Sequence, residues 1–140
     1  MRRHADERGS LTVWIALASL VMMVLVGLAV DLGGQVHAQQ RAHDLAAQAA
    51  RTGGEQVQAA PAIQGRYAHI DTAAARVAAQ DYLDAAGVDG TVSVTGGDTI
   101  HVTVTEAYDP RFLPFLGITH LDVSGTASAR LVRTLGGTEQ

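Results

Sequence analysis

The side chains able to do chemistry are scattered along this chain. Histidines stand at His4, His37, His43, His69, His101 and His120. None pair at the i, i+4 spacing that lets one helix face hold a metal, and no HExxH occurs. His120 shares a strand face with Asp122, and His101 lies beside Thr103 on the exposed face of its strand. Those residues either form a metal locus or are solvated surface histidines, and the lack of ligand spacing favours the second. Ser10, Ser19, Ser93, Ser124 and Ser128 have no GxSxG context that would raise a nucleophile on a tight turn. Asp81 and Asp84 resemble a carboxylate pair at helical spacing, yet on an alanine-rich helix they read as a solvated face. Gly96-Gly97-Asp98 joins two strands and precedes no helix, so it does not cradle a phosphate. Cysteine is absent, which excludes disulfides, thiolate zinc sites and a cysteine nucleophile. The residues point to no catalytic, metal or cofactor site: no enzyme, no cofactor and no small-molecule substrate.

The elements that would have to position any site follow from composition. The 140 residues carry a net charge of −4 and a pI near 5.8, which argues against a nucleic-acid surface. Apolar residues make up 47% but aromatics only 4%. Alanine supplies many of the apolar positions, so the core outside any membrane should be thin.

One stretch organises the rest. Leu11 to Val30 contains no charged residue, and as a helix it spans about 30 Å, the hydrocarbon thickness of a bilayer. Arg2, Arg3 and Arg8 precede it, and no basic residue follows until Arg41. That asymmetry predicts the N-terminus inside and the bulk of the chain outside. Trp14 and Asp31 mark the two membrane boundaries. A cleaved secretory signal is the rival reading, with Val36-His37-Ala38 as its cleavage site. The domain plan is a cytoplasmic flank over 1–10, a transmembrane helix over 11–30, and a helical extension over 31–54. A small extracytoplasmic α+β domain over 55–135 and a tail over 136–140 complete it.

Beyond the anchor the period stays helical. Gly33-Gly34 weakens the extension and allows a bend; Gly53-Gly54 is its expected stop. Ala38, Ala42, Leu45 and Ala49 recur at helical spacing and form one seam. The seam packs either on the protein's own domain or on another helix of the same kind. Glu55 to Tyr67 reads as a connector, with Gln56 to Ala60 able to add one helical turn. A second helix starts at Asp71 or Thr72 and ends at Gly87; Ala74, Val77, Ala78 and Tyr82 offer its apolar face. From Thr91 the period becomes two. Val92 and Val94, a turn at Gly96-Gly97-Asp98, then Ile100, Val102 and Val104 form a hairpin. Glu106 to Gly117 is a loop rich in apolar residues, with Tyr108, Phe112, Phe115 and Leu116. It either folds back on the core or forms a contact patch for a partner or membrane. A third strand runs from Leu121 to Leu131, and the tail frays from Leu135. The fold class is α+β: the transmembrane helix, an amphipathic continuation, a second helix and a small three-stranded antiparallel sheet.

The N-terminal third resembles a known family. Glu7-Arg8-Gly9-Ser10, the apolar run, Val30-Asp31-Leu32-Gly33, and the stretch from Ala38 through His43-Asp44-Leu45 to Ala50 stand in the order seen in TadE/TadG-like proteins of Flp (tight adherence) pilus assembly. The resemblance covers about the first 55 residues, with a weaker likeness over Gly117 to Ala129. It implies a membrane-anchored, pilin-like accessory subunit in a bacterial cytoplasmic membrane, not an enzyme. Its implied partners are lipid, other membrane proteins of the pilus or secretion apparatus, and pilin. It also implies a candidate processing site at Gly9 and Ser10. Family members cut there carry glutamate fifth in the mature chain; counted from Ser10 the fifth residue here is Trp14, so the TadG-like, uncleaved branch fits better. The alternative from another class is an anchored binding or sensor module whose contact surface is the loop at Phe112 to Phe115.

Overall fold

The computed structural model describes residues 8–59, 71–130, 134–135 and 138–139, with side chains over 11–55 and 71–130. One helix dominates it. α1 runs unbroken from Arg8–Ala59, 52 residues, about 78 Å at 1.5 Å per residue. α2 covers Thr72–Ala86. The strands β1 (Asp89–Thr95), β2 (Thr99–Tyr108) and β3 (Leu121–Arg130) form an antiparallel meander in the order β1-β2-β3. A 3-10 turn at Leu113–Leu116 interrupts the β2–β3 connection.

The local chemistry explains the element ends. Asp71 caps α2 by accepting from the Ala74 N–H at 2.9 Å. Gly87 closes it at φ 68°, its N–H turned back to the last carbonyls. Gly96 and Gly97 take φ of 65° and 75° in the β1–β2 turn, a backbone that other residues rarely adopt. β2 continues to Tyr108, two strand residues past the Glu106 start expected for the loop. A short hairpin stands where a frayed tail was expected: β4 (Thr134–Leu135) pairs with β5 (Thr138–Glu139). His4, His69 and Leu131 lie outside the described residues, as does the Ala60–Tyr67 part of the connector.

The sheet lays one face on α1 and α2 and leaves the other to solvent. Ile100, Val102, Val104 and Val123 are buried; His101, Thr105, Ser124, Thr126 and Ser128 point outward and are exposed. On the helix side the core is mostly alanine: Ala42, Ala46, Ala49 and Ala50 of α1 meet Ala75, Ala79 and Leu83 of α2. Each fully buried Leu, Ile or Val contributes about 1.5–3 kcal/mol. Alanine contributes less by area but lets backbones approach. The α2 face differs from the expected one. Ala75, Ala79 and Leu83 are buried, whereas Val77 is 59% exposed. So many positions of this helix are alanine that hydropathy hardly ranks its faces, and Leu83 decides the orientation.

Gly27, Gly34 and Gly53 of α1 are packing residues, and the helix runs through Gly33-Gly34 without a break and does not stop at Gly53-Gly54. A side chain at Gly53 would meet the Ala75 carbonyl and Ile100 Cδ1, each at 2.7 Å. One at Gly34 would overlap the Tyr108 ring. Gly125 of β3 lies directly on the α1 backbone at Ala42 and His43. Gly33, by contrast, faces open space.

These two classes of glycine should separate cleanly in thermal unfolding of the detergent-solubilised chain. Gly125→Ala forces a strand off the helix and should cost about 1–3 kcal/mol. Gly33→Ala should stabilise by about 0.5–1 kcal/mol. Equal shifts would refute the packing role of Gly125.

Candidate functional site

The positions on α1 that touch the rest of the chain form one stripe. Gly27, Asp31, Gly34, Ala38, Ala42, Ala46, Ala49 and Gly53 follow one another at three- or four-residue steps, the repeat of one helix face. The seam residues Ala38, Ala42 and Ala49 are buried within this stripe, and Leu45 is half-buried at its edge. In this arrangement the stripe faces the chain's own α2 and sheet. Two side-chain ties flank it: Tyr82 Oη donates to Gln48 Oε1 at 2.6 Å, and Arg41 Nε donates to Glu106 Oε2 at 3.3 Å.

Asp31 is the one charged residue buried among the described residues, at 0% exposure. It stands one residue past the apolar run, and both of its carboxylate oxygens are engaged. Oδ1 accepts the Arg111 N–H at 2.7 Å; Oδ2 accepts those of Phe112 and Leu113 at 2.8 and 2.7 Å. These are the donors that open the 3-10 turn, which would otherwise lack partners in a buried place. Two side chains complete the clasp. The Phe112 ring sits on Gly27, where a Cβ would lie 2.8 Å from Cγ. Tyr108 sits on Gly34. The glycines therefore flank the aspartate on both sides and admit the two rings.

The electrostatics follow. Burial alone raises the pKa of the Asp31 carboxyl. The three N–H bonds, helped by the Arg111 charge, outweigh that and hold it below the ordinary 3.8. A carboxylate so held, with both oxygens accepting backbone N–H groups, is a structural fastener.

The other loop residues expected to form a contact patch are outside the clasp. Phe115 is 89% and Leu116 70% exposed. Beside Met23, Val24, Gly27 and Leu28 of α1, the loop borders an apolar groove. Trp14 lies near the far end of the apolar run, 68% exposed. Gly9 and Ser10 lie in the first turn of α1, and Val36-His37-Ala38 lies inside the unbroken helix.

The remaining candidates are dispersed. His101 Nε2 pairs with Thr95 Oγ1 at 2.8 Å, and His120 with the neighbouring Thr119. Asp84 accepts from Gln80, and Asp81 is exposed. Among the described residues no three His, Asp or Glu side chains converge as metal ligands would. Sequence reasoning placed Asp31 at the boundary but missed its partners, which lie 80 to 82 residues away. The one available signal was a lone carboxylate between Gly27 and Gly34 at helical spacing.

Residues 9–60 match the family model described as putative Flp pilus-assembly TadE/G-like. The matched segment coincides with α1 and contains Asp31 and the whole small-residue stripe. No curated protein and no solved structure matches the chain. The resemblance carried by the Arg8-Gly9-Ser10 start and the Asp31-Leu32-Gly33 edge therefore holds over this segment and supports a role in pilus assembly. Together with a helix long and apolar enough to cross a bilayer, it is consistent with membrane anchoring.

The carboxylate's depressed pKa sets a pH dependence. Its contribution is fully present above 3.8 and is lost as pH falls through the lower folded-state value. Amide exchange at Arg111, Phe112 and Leu113 should stay slow at mildly acidic pH and accelerate only in stronger acid. In Asp31→Asn, which offers one acceptor and an opposing NH₂ group, those amides should exchange fast at every pH. Slow exchange in that variant would contradict the clasp.

Proposed function

We propose that this chain is a membrane-anchored accessory subunit of Flp-type pilus assembly, working by packing and presentation and not by catalysis. The observation that carries the reading is the coincidence of the family-matched segment with the helix on which the outer domain is clamped. The clasp at Asp31 and the stripe up to Gly53 give the anchor and the outer domain one rigid frame. A rigid presenter suits an assembly role, in which a partner must be met at a fixed height and orientation above the bilayer.

The orientation proposed is N-terminus inside, with Arg2, Arg3 and Arg8 held at the cytoplasmic face. Residues 11–26 are exposed, all but the half-buried Ala18, and the loop after β2 borders them at Met23 and Val24. That cylinder is open to lipid and to the membrane proteins of the pilus machinery. Trp14, standing where a processed pseudopilin would carry glutamate, favours a chain that keeps its anchor and its first nine residues.

Two outcomes test this. Deleting the gene in its own bacterium should abolish or sharply reduce surface fibres. The wild-type gene should restore them and the Asp31→Asn variant should not; unaltered fibres in the deletion strain would contradict the role. The intact mass of the protein recovered from membranes should correspond to a chain not cut after Gly9. A mass lacking residues 1–9 would overturn the anchored-subunit reading in favour of a processed pseudopilin.

A further inference from the structure

We propose that the loop Phe112–Ile118 is a second membrane contact, a wedge that enters the outer leaflet beside the anchor. The inference rests on reading Leu11–Val30 as the span. Given that span, depth is a matter of arithmetic. The loop borders a groove with Met23 and Val24, six to seven residues inside the outer end of the run. That is about 10 Å along the helix axis at 1.5 Å per residue. A loop fixed at that level cannot stay in water while the helix beside it is in hydrocarbon.

The loop's composition agrees with that depth. Phe112-Leu113-Pro114-Phe115-Leu116-Gly117-Ile118 holds no charged or hydrogen-bonding side chain. Phe115, Leu116, Phe112 and Ile118 are 89%, 70%, 42% and 41% exposed. Polar residues stand only at its two ends, Asp109 and Arg111 before it and Thr119 and His120 after it.

The backbone is the stronger argument. Irregular backbone is excluded from hydrocarbon because each unpaired N–H costs several kcal/mol there. In this loop six of the seven backbone N–H groups from Arg111 to Ile118 are withdrawn. Asp31 takes those of Arg111, Phe112 and Leu113, and Pro114 has none. Phe115 donates to the Phe112 carbonyl, Gly117 to Pro114 and Ile118 to Leu113. The clasp thus does two things at once: it fixes the wedge to the anchor and satisfies three of the N–H groups that would otherwise keep it out of lipid. Such a wedge would stop the outer domain from rocking on a single helix and set its height above the bilayer.

The chain has no cysteine and one tryptophan, which makes the test direct. Phe115→Cys and, as a reference, Ser93→Cys on the exposed face of β1 are labelled with an environment-sensitive fluorophore. Both sites are exposed, so neither label disturbs the core. The full chain is reconstituted into phosphatidylcholine–phosphatidylglycerol vesicles carrying a nitroxide on the acyl chains. Trp14 quenching reports the anchor independently. The expected result is several-fold stronger lipid quenching at residue 115 than at residue 93, a blue-shifted emission at 115, and protection there from aqueous iodide. Trp14 quenched but residue 115 as open to iodide as residue 93 would overturn the wedge and leave the anchor intact. A label at 115 shielded from both quenchers would also overturn it, assigning the patch to a protein neighbour. If Trp14 itself escapes lipid quenching, the span fails and the wedge with it.

Discussion

Three backbone N–H groups closing on one carboxylate hold the two halves of this molecule together. Asp31 lies where an apolar helix leaves its run of uncharged residues, and a buried charge there is costly unless it is hydrogen-bonded. The loop after β2 meets that demand by presenting consecutive donors from Arg111, Phe112 and Leu113. The exchange is reciprocal. The turn obtains an acceptor for donors that have no partner within it, and the helix obtains the partners its carboxylate needs. Gly27 and Gly34, each about a turn away, let the Phe112 and Tyr108 rings close over the pair.

The rest of the architecture follows the same stripe. Once the loop is fastened, β3 descends along α1 so closely that Gly125 touches the helix backbone. α2 reaches the same face through Ala75, Ala79 and Gly53. A core built from alanine and glycine has little side-chain area to bury, so it gains stability by bringing backbones together over a long contact. One continuous helix is the economical support for that packing. It also makes the apolar run and the α2–sheet unit parts of one body through α1, the helix that the family-matched segment covers.

Much of this was legible in the residues. The seam at Ala38, Ala42, Leu45 and Ala49, the caps of α2, the hairpin about Gly96-Gly97 and the third strand all rest on local periodicity or turn chemistry, which act over a few residues. What escaped was non-local. Gly33-Gly34 and Gly53-Gly54 look like breaks because glycine weakens an isolated helix. Here tertiary contact overrides that weakness, since Gly34 and Gly53 are where other elements press against α1. The apolar face of α2 was misjudged because alanine-rich sequence has almost no polarity contrast to read. Asp31 stood out as a boundary residue, but nothing in the spacing reveals that its partners are backbone groups on a distant loop.

Asp31 is what fixes the loop and the sheet to α1. Spin labels at Leu20→Cys on α1 and Ile118→Cys on the loop, measured by pulsed dipolar spectroscopy in bilayers, report that coupling directly. A narrow distance distribution that broadens in the Asp31→Asn background is the predicted result. A broad distribution with Asp31 intact, or one unchanged by its replacement, would contradict it.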